Sequence, residues 1–484
     1  MRRYYHHYKP ATIHERCKVC SAFSNLKRGK DMEKILKKGT VSGLPVINFH
    51  AAGIDVGSTV MAVSYTDHTG YQCLLTTGCF TRELKELALL LASEGVKDVA
   101  LEATGVYWMS LYEMLEEVDI RVTLIHPGHY NRSASLKTDE NDSLWIHQYH
   151  SCGILRNSHI ASEHYRELRN YIHERNTVQH QKSETLTRIQ RLLTMMNLKL
   201  HHLISDIEGA GGLSILRAVA SGVTHAETLV DLLDLKRFKA SREDLVSSLE
   251  GIYKEQFVTL LKMKLQEYDF FVSQMKNYDT CIEATLQKIV VTVAGPSTLS
   301  ESEKGKKNKY VRKNQYSFDA KKYLYQLLGT DLTRAEGLDE KMLLDVISVT
   351  GTDMSKWPTE KHFTSWLNLS PRRQKTGGKY IGNQTRKTNN AATQAFRISA
   401  QSVGNSSKGH LGILYRRLAA RKGKRTATKA VARKIAVILY TLIKNKQEFC
   451  PLISAKRIAE QEEKKIRQLM KTAKKLGYSM RKIS

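Results

Sequence analysis

Between residues 51 and 125 the apolar residues come in short runs that alternate with helical spacing, which confines this stretch to an α/β sheet. Ile54, Val56, Val60 and Val63 lie in an apolar segment with turn residues, and Thr66-Asp67-His68-Thr69-Gly70 reads as a hairpin loop. Residues 71–77 read as a second strand, with a third near 78–80. Leu84, Leu87, Leu90 and Leu91 mark a helix, 96–101 a strand, 106–118 a helix and 120–125 a strand stopped by His126-Pro127-Gly128. A meander followed by helix–strand crossovers is the order expected of a ribonuclease-H-like domain.

Beyond residue 160 the period changes. Leu186, Ile189, Leu193, Met196, Leu200, Leu203 and Ile207 follow a heptad seam, broken by Gly209-Ala210-Gly211-Gly212. A second seam runs through Val258, Leu261, Leu265, Tyr268, Val272 and Met275. The seams could pack on each other as an antiparallel hairpin or join separate chains as a coiled coil. With 484 residues, several domains are expected. The reading is a basic extension over 1–48, an α/β domain over 49–160, a helical coiled-coil region over 161–290, a Ser/Gly/Lys-rich mobile linker over 291–317, a mostly helical domain over 318–448 and a basic tail over 449–484.

Charge narrows the partner. The chain carries 76 Lys and Arg against 48 Asp and Glu, a net +28. From residue 361 to 447 there is no acid and there are 20 basic residues, so this window holds most of the excess. A folded segment without one carboxylate calls for a polyanion, and nucleic acid is the expected one. Arg372, Arg373, Lys375, Lys379, Arg386 and Lys387 surround Gly377-Gly378, while Arg397, Arg416, Arg417, Arg421 and Arg425 continue along helices. Arg416 and Arg417 read as the best phosphate forks, since a guanidinium binds two oxygens at once. No apolar run is long enough for a membrane span. Seven irregularly spaced cysteines argue against a disulfide scaffold and for a reducing cytoplasm.

Four acids stand out. Asp55 lies in an apolar strand beside glycines, Gly53-Ile54-Asp55-Val56-Gly57-Ser58, where an isolated charge would cost several kcal/mol. Glu102 ends the run Val99-Ala100-Leu101 in the same way. Asp139 and Asp142 are three apart, so a helix start places both on one face; a helix-dipole role is the alternative. Such oxygen donors fit Mg2+ or Mn2+ acting on phosphodiesters. Cys17-x2-Cys20 with His14 is half of a zinc site and, without a second half, reads as incidental.

These acids sit in motifs that resemble a known family. Gly53-Ile54-Asp55-Val56, Leu101-Glu102-Ala103-Thr104-Gly105-Val106-Tyr107-Trp108 and Lys137-Thr138-Asp139-Glu140-Asn141-Asp142 resemble the acidic motifs of the DEDD transposases of bacterial insertion sequences. That family includes bridge-RNA-guided recombinases and is related to Piv-type DNA invertases. The resemblance extends to Phe363-Thr364-Ser365-Trp366-Leu367-Asn368-Leu369-Ser370-Pro371, leading into Thr376-Gly377-Gly378-Lys379. It implies a RuvC-like N-terminal domain binding Mg2+ through Asp55, Glu102, Asp139 and Asp142, and a C-terminal domain supplying a hydroxyl nucleophile. It also implies donor and target DNA, a bridge (guide) RNA and a homo-oligomer, dimer to tetramer. The family's pattern has a serine directly before Gly-Gly-Lys, where this chain has Thr376. The alternatives are a junction nuclease using water, and an inactive relative that binds nucleic acid.

Overall fold

The computed structural model describes residues 40–41, 44–125, 138–155, 157–294, 314–377, 379–384, 390–406, 409–447, 449, 463 and 466–479. The His14, Cys17 and Cys20 cluster, most of the expected linker and much of the expected tail lie outside them. The chain divides into two compact units, Met1–Ile160 and Ala161–Ser484.

In the first unit, β1 (Ala51–Val56), β2 (Val60–Thr66), β3 (Gln72–Gly78), β4 (Asp98–Glu102) and β5 (Arg121–Ile125) form one sheet in the order β3-β2-β1-β4-β5. β1, β2 and β3 are an antiparallel meander, while β4 pairs parallel with β1 and β5 parallel with β4. The expectation of three early strands therefore holds, but with different bounds. Gly57-Ser58-Thr59 splits the first apolar run into two strands, and residues 78–80 lead into a helix instead. The β2–β3 turn is tied by Asp67, whose Oδ1 accepts the amides of Thr69 and Tyr71, both at 2.9 Å.

Alternation assigns the faces. Ala52, Ile54 and Val56 of β1, with Val99 and Leu101 of β4, pack under α1 (Thr81–Ser93) and α2 (Trp108–Glu117), meeting Leu84, Leu87, Leu91 and Leu111. The other face carries α3 (Asp139–Ser151), where Ile146 packs on Ala100 and Ile125.

In the second unit, α4 (Glu163–Met195) and α5 (Glu255–Ala294) are the long helices, with shorter helices between them. Glu167 meets Lys288 at 3.2 Å, Arg175 meets Asp279, and Thr185 meets Glu267 at 3.1 Å. Rising numbers on one helix meet falling numbers on the other, so they form an antiparallel hairpin within the chain. The seam residues Leu186, Ile189, Leu193 and Met196 are buried with Leu261, Leu265 and Tyr268 in a core at its tip. At the base, Leu168, Ile172, Ile282 and Leu286 share one core with the helices that follow residue 319. Arg175 is fully buried there, its guanidinium 4.3 Å over the Tyr316 ring.

The later helices are α6 (Ala320–Leu328), α7 (Glu340–Thr350), α8 (Glu360–Trp366), α9 (Ala391–Asn405), α10 (His410–Lys422) and α11 (Lys424–Asn445). Between α8 and α9 stand β6 (Arg372–Thr376) and β7 (Lys379–Gln384), an antiparallel hairpin in an otherwise helical unit. Among the described residues no helix is long and apolar enough to cross a membrane.

Candidate active site

Asp55 and Glu102 occupy equivalent places. Ile54 pairs with Leu101 in the parallel register of β1 and β4, so each acid is the residue after a paired position, at adjacent strand ends. Both face α3. Asp55 shares the face of Gly53, whose absent Cβ would fall 2.1 Å from the His147 amide nitrogen, and Glu102 shares the face of Ala100. Gly53 is thus required because α3 crosses β1 at backbone contact. Glu102 is buried and accepts a hydrogen bond from Thr104 Oγ1 at 3.1 Å.

The direction of α3 brings the other two acids to the same end. Its last turn lies at the start of β1, where the Ser151 carbonyl accepts the amides of Ile47 at 2.8 Å and Asn48 at 2.9 Å. His147 sits over Gly53, so the first turn, with Asp139 exposed and Asp142 buried, points toward Asp55 and Glu102. Thr138 caps this turn by accepting the Asn141 amide at 3.2 Å. Among the described residues no three His, Cys, Asp or Glu side chains are drawn together as a metal-ligand set. Carboxylate oxygens are the donors a hard divalent cation takes, and the two strand acids and the first turn of α3 lie toward the same end of the sheet.

The histidine that seats α3 was not singled out from the sequence. His147 is fully buried, with Nδ1 2.8 Å from Ser64 Oγ and Nε2 3.1 Å from Thr66 Oγ1. Gln72 Nε2 lies 3.2 Å from Nδ1, so both ring nitrogens have polar partners. Burial, with His150 nearby, pushes its pKa down to about 3, so the ring stays neutral. Its partners lie on β2 and β3, too far along the chain for any local pattern to reveal.

Thr376 ends β6. It pairs with Lys379 across the hairpin, and Gly377, which follows it, stands at φ +56°. Arg372, Arg373 and Lys375 share the β6 backbone, and Lys379 is exposed at the start of β7. Arg386 and Lys387 lie outside the described residues. Arg417, Arg421 and Arg425 are exposed on α10 and α11. Arg416, expected to be a phosphate fork, donates to the carbonyls of Ser406 and Gly404 and so caps the end of α9. Arg397 is half-buried and reaches Gln394 Oε1 at 3.4 Å. Burial, together with Arg397 and Arg425, pushes the Lys429 amine down, so these three cations share one neighbourhood.

The first unit is thus an α/β sheet with acids at the ends of two parallel strands and on the first turn of the helix that crosses them. Residues 52–197 match the family model described as Transposase, the DEDD transposases of the IS110 type, and over this segment the chain is similar to that family. No curated protein matches the chain. That similarity supports a transposase of an insertion sequence, a class whose partner is DNA.

Proposed function

We propose that the protein is a divalent-metal-dependent DNA recombinase that moves an insertion sequence, with Asp55, Glu102, Asp139 and Asp142 as the metal-holding set and Thr376 as nucleophile. The observation that carries this reading is the convergence of α3's first turn on the adjacent ends of β1 and β4. A bound Mg2+ or Mn2+ would neutralise charge building on the scissile phosphate. The four carboxylates would hold that cation, and Thr104 donates to Glu102 near it in sequence. The Thr376 hydroxyl attacks phosphorus, one strand oxygen leaves, and a covalent protein–DNA link remains until the strand is rejoined. The stiff χ1 of threonine makes this attack slower than that of a serine at the same place.

The N-terminal domain is read as RuvC-like on its strand order. The basic residues from Arg372 to Arg425 hold nucleic-acid backbones, and a structured guide RNA supplies sequence choice by pairing with donor and target DNA. Assembly as a homo-oligomer, dimer to tetramer, in the cytoplasm completes the proposal. The test is a denaturing gel of labelled DNA incubated with protein, Mg2+ and RNA transcribed from DNA flanking the gene. A covalent adduct that is lost in Thr376→Ala and kept in Thr376→Ser supports the proposal. Nicking without an adduct moves the reading to a nuclease using water, and an adduct formed by Thr376→Ala transfers the nucleophile elsewhere, Ser370 first.

A further inference from the structure

The carboxylate end of the sheet carries a second feature that metal binding leaves unexplained. α1 and α2 pack against one another, and both begin at this end, directly after β3 and shortly after β4. A helix begins best with Ser, Thr, Asp or Asn at the N-cap, whose side chain accepts an amide of the first turn. The N-cap of α1 is Phe80, which provides no side-chain cap, whereas Tyr107, just before α2, is already in helical conformation at φ −65° and ψ −24°. The Phe80 amide is instead taken by Glu83 at 3.0 Å. The Phe80 side chain is 80% exposed and Tyr107 47%, with Val106 beside it at 65%. Trp108, the next residue, behaves as a packing aromatic should: it meets Tyr112 edge-on at 5.6 Å and lies against the core.

Both helices thus present an exposed aromatic at their start, Phe80 at the N-cap of α1 and Tyr107 in the turn that leads into α2, at the end of the sheet that carries Asp55 and Glu102. Departures from local rules of this kind concentrate at functional sites. We propose that Phe80 and Tyr107 form a stacking surface for unpaired bases of the DNA strand whose phosphate lies at the carboxylates; this rests on the reading of those acids as the cleavage site. The proposed function makes DNA the partner, and the exposed rings match the flat faces of bases. Paired bases in a duplex hide those faces within the stack, whereas unpaired bases present them, and every base has one, so the surface tolerates any sequence.

The experiment uses the full chain without divalent metal, so that no strand is cut. Fluorescence anisotropy compares one labelled oligonucleotide as a single strand and as a duplex. Phe80→Ala and Tyr107→Ala should each weaken single-strand binding about tenfold and change duplex binding less than twofold. Phe80→Trp and Tyr107→Phe should keep single-strand binding. A 2-aminopurine in the strand should be quenched on binding wild type and remain bright with the double alanine variant. Unaltered single-strand binding, an equal loss on duplex, or a loss confined to RNA of the same sequence would each overturn the inference. The reading of the acids is judged separately: Asp55→Ala should lose cleavage in Mg2+ while keeping the single-strand preference. Cleavage that survives Asp55→Ala, with stacking intact, would remove the site reading and leave the aromatic surface standing.

Discussion

Gly53→Ala is the smallest change that should disturb the site without touching an acid. The new methyl carbon would stand 2.1 Å from the His147 amide nitrogen and 2.6 Å from its Cα. Both are backbone atoms, so no rotamer relieves the clash. Contact becomes ordinary near 3.4 Å, so α3 must retreat by about 1.3 Å from β1. His147 moves with that turn, and its bonds to Ser64 and Thr66, now 2.8 and 3.1 Å, open beyond reach. Overpacking costs ~1–3 kcal/mol and buried polar groups left unpaired ~1–3 kcal/mol, against a gain below ~1 kcal/mol from a stiffer unfolded chain. The net loss is about 3 kcal/mol. Hydrogen exchange of β1 and α3 amides reads it locally, with protection falling roughly a hundredfold. Displacing Asp139 and Asp142 by the same ångström should cut strand cleavage by about a hundredfold. Wild-type protection together with wild-type cleavage in Gly53→Ala would refute the seating of α3 on Gly53.

Other perturbations separate the parts. The folded His147 ring stays neutral to about pH 3 while an unfolded one protonates near 6.5, so the unfolded chain takes up the extra proton between those values. Stability of the first unit should therefore fall as pH drops from 6.5 toward 3, by at most ~1.4 kcal/mol per pH unit, and His147→Gln should flatten this dependence in pH-jump unfolding. Arg175→Met strands the buried Asp279 carboxylate and should cost ~3–5 kcal/mol in urea unfolding, with Asp279→Leu added in the same chain restoring much of it. Arg421→Ala with Arg425→Ala should lower the slope of log K against log salt by ~0.9 per lost phosphate contact on duplex DNA, whereas Arg416→Ala should show mainly as lost thermal stability. An unchanged slope in the double variant would show that these arginines do not touch phosphate.

Much of the first unit was legible because its signals are local. Asp55 and Glu102 each interrupt or end an apolar run, and the spacing of Asp139 and Asp142 announces a shared helical face. What escaped depends on contacts between distant residues. Nothing near His147 marks it as the group that joins α3 to β2 and β3, and Gly53 reads as a turn residue until the helix lies on it. The second unit shows the same limit. The heptad seams reveal two long helices, but it takes the Glu167–Lys288, Arg175–Asp279 and Thr185–Glu267 contacts to show that they pair within one chain. Arg-Arg-Gln-Lys-Thr has little strand character, so β6 was hidden, and the turning of Arg416 onto α9 is set by tertiary packing that charge counting cannot see.

The claim on which the account depends is that Asp55, Glu102, Asp139 and Asp142 hold one divalent-metal centre. Replacing Mg2+ by Fe2+ and adding ascorbate and peroxide generates hydroxyl radicals at the bound ion, which cut the nearest backbone. The account predicts cuts in three stretches, near residues 55, 102 and 139–142, suppressed by excess Mg2+ and lost in Asp55→Asn. Absence of cuts, or cuts that fall elsewhere and persist in Asp55→Asn, would contradict it.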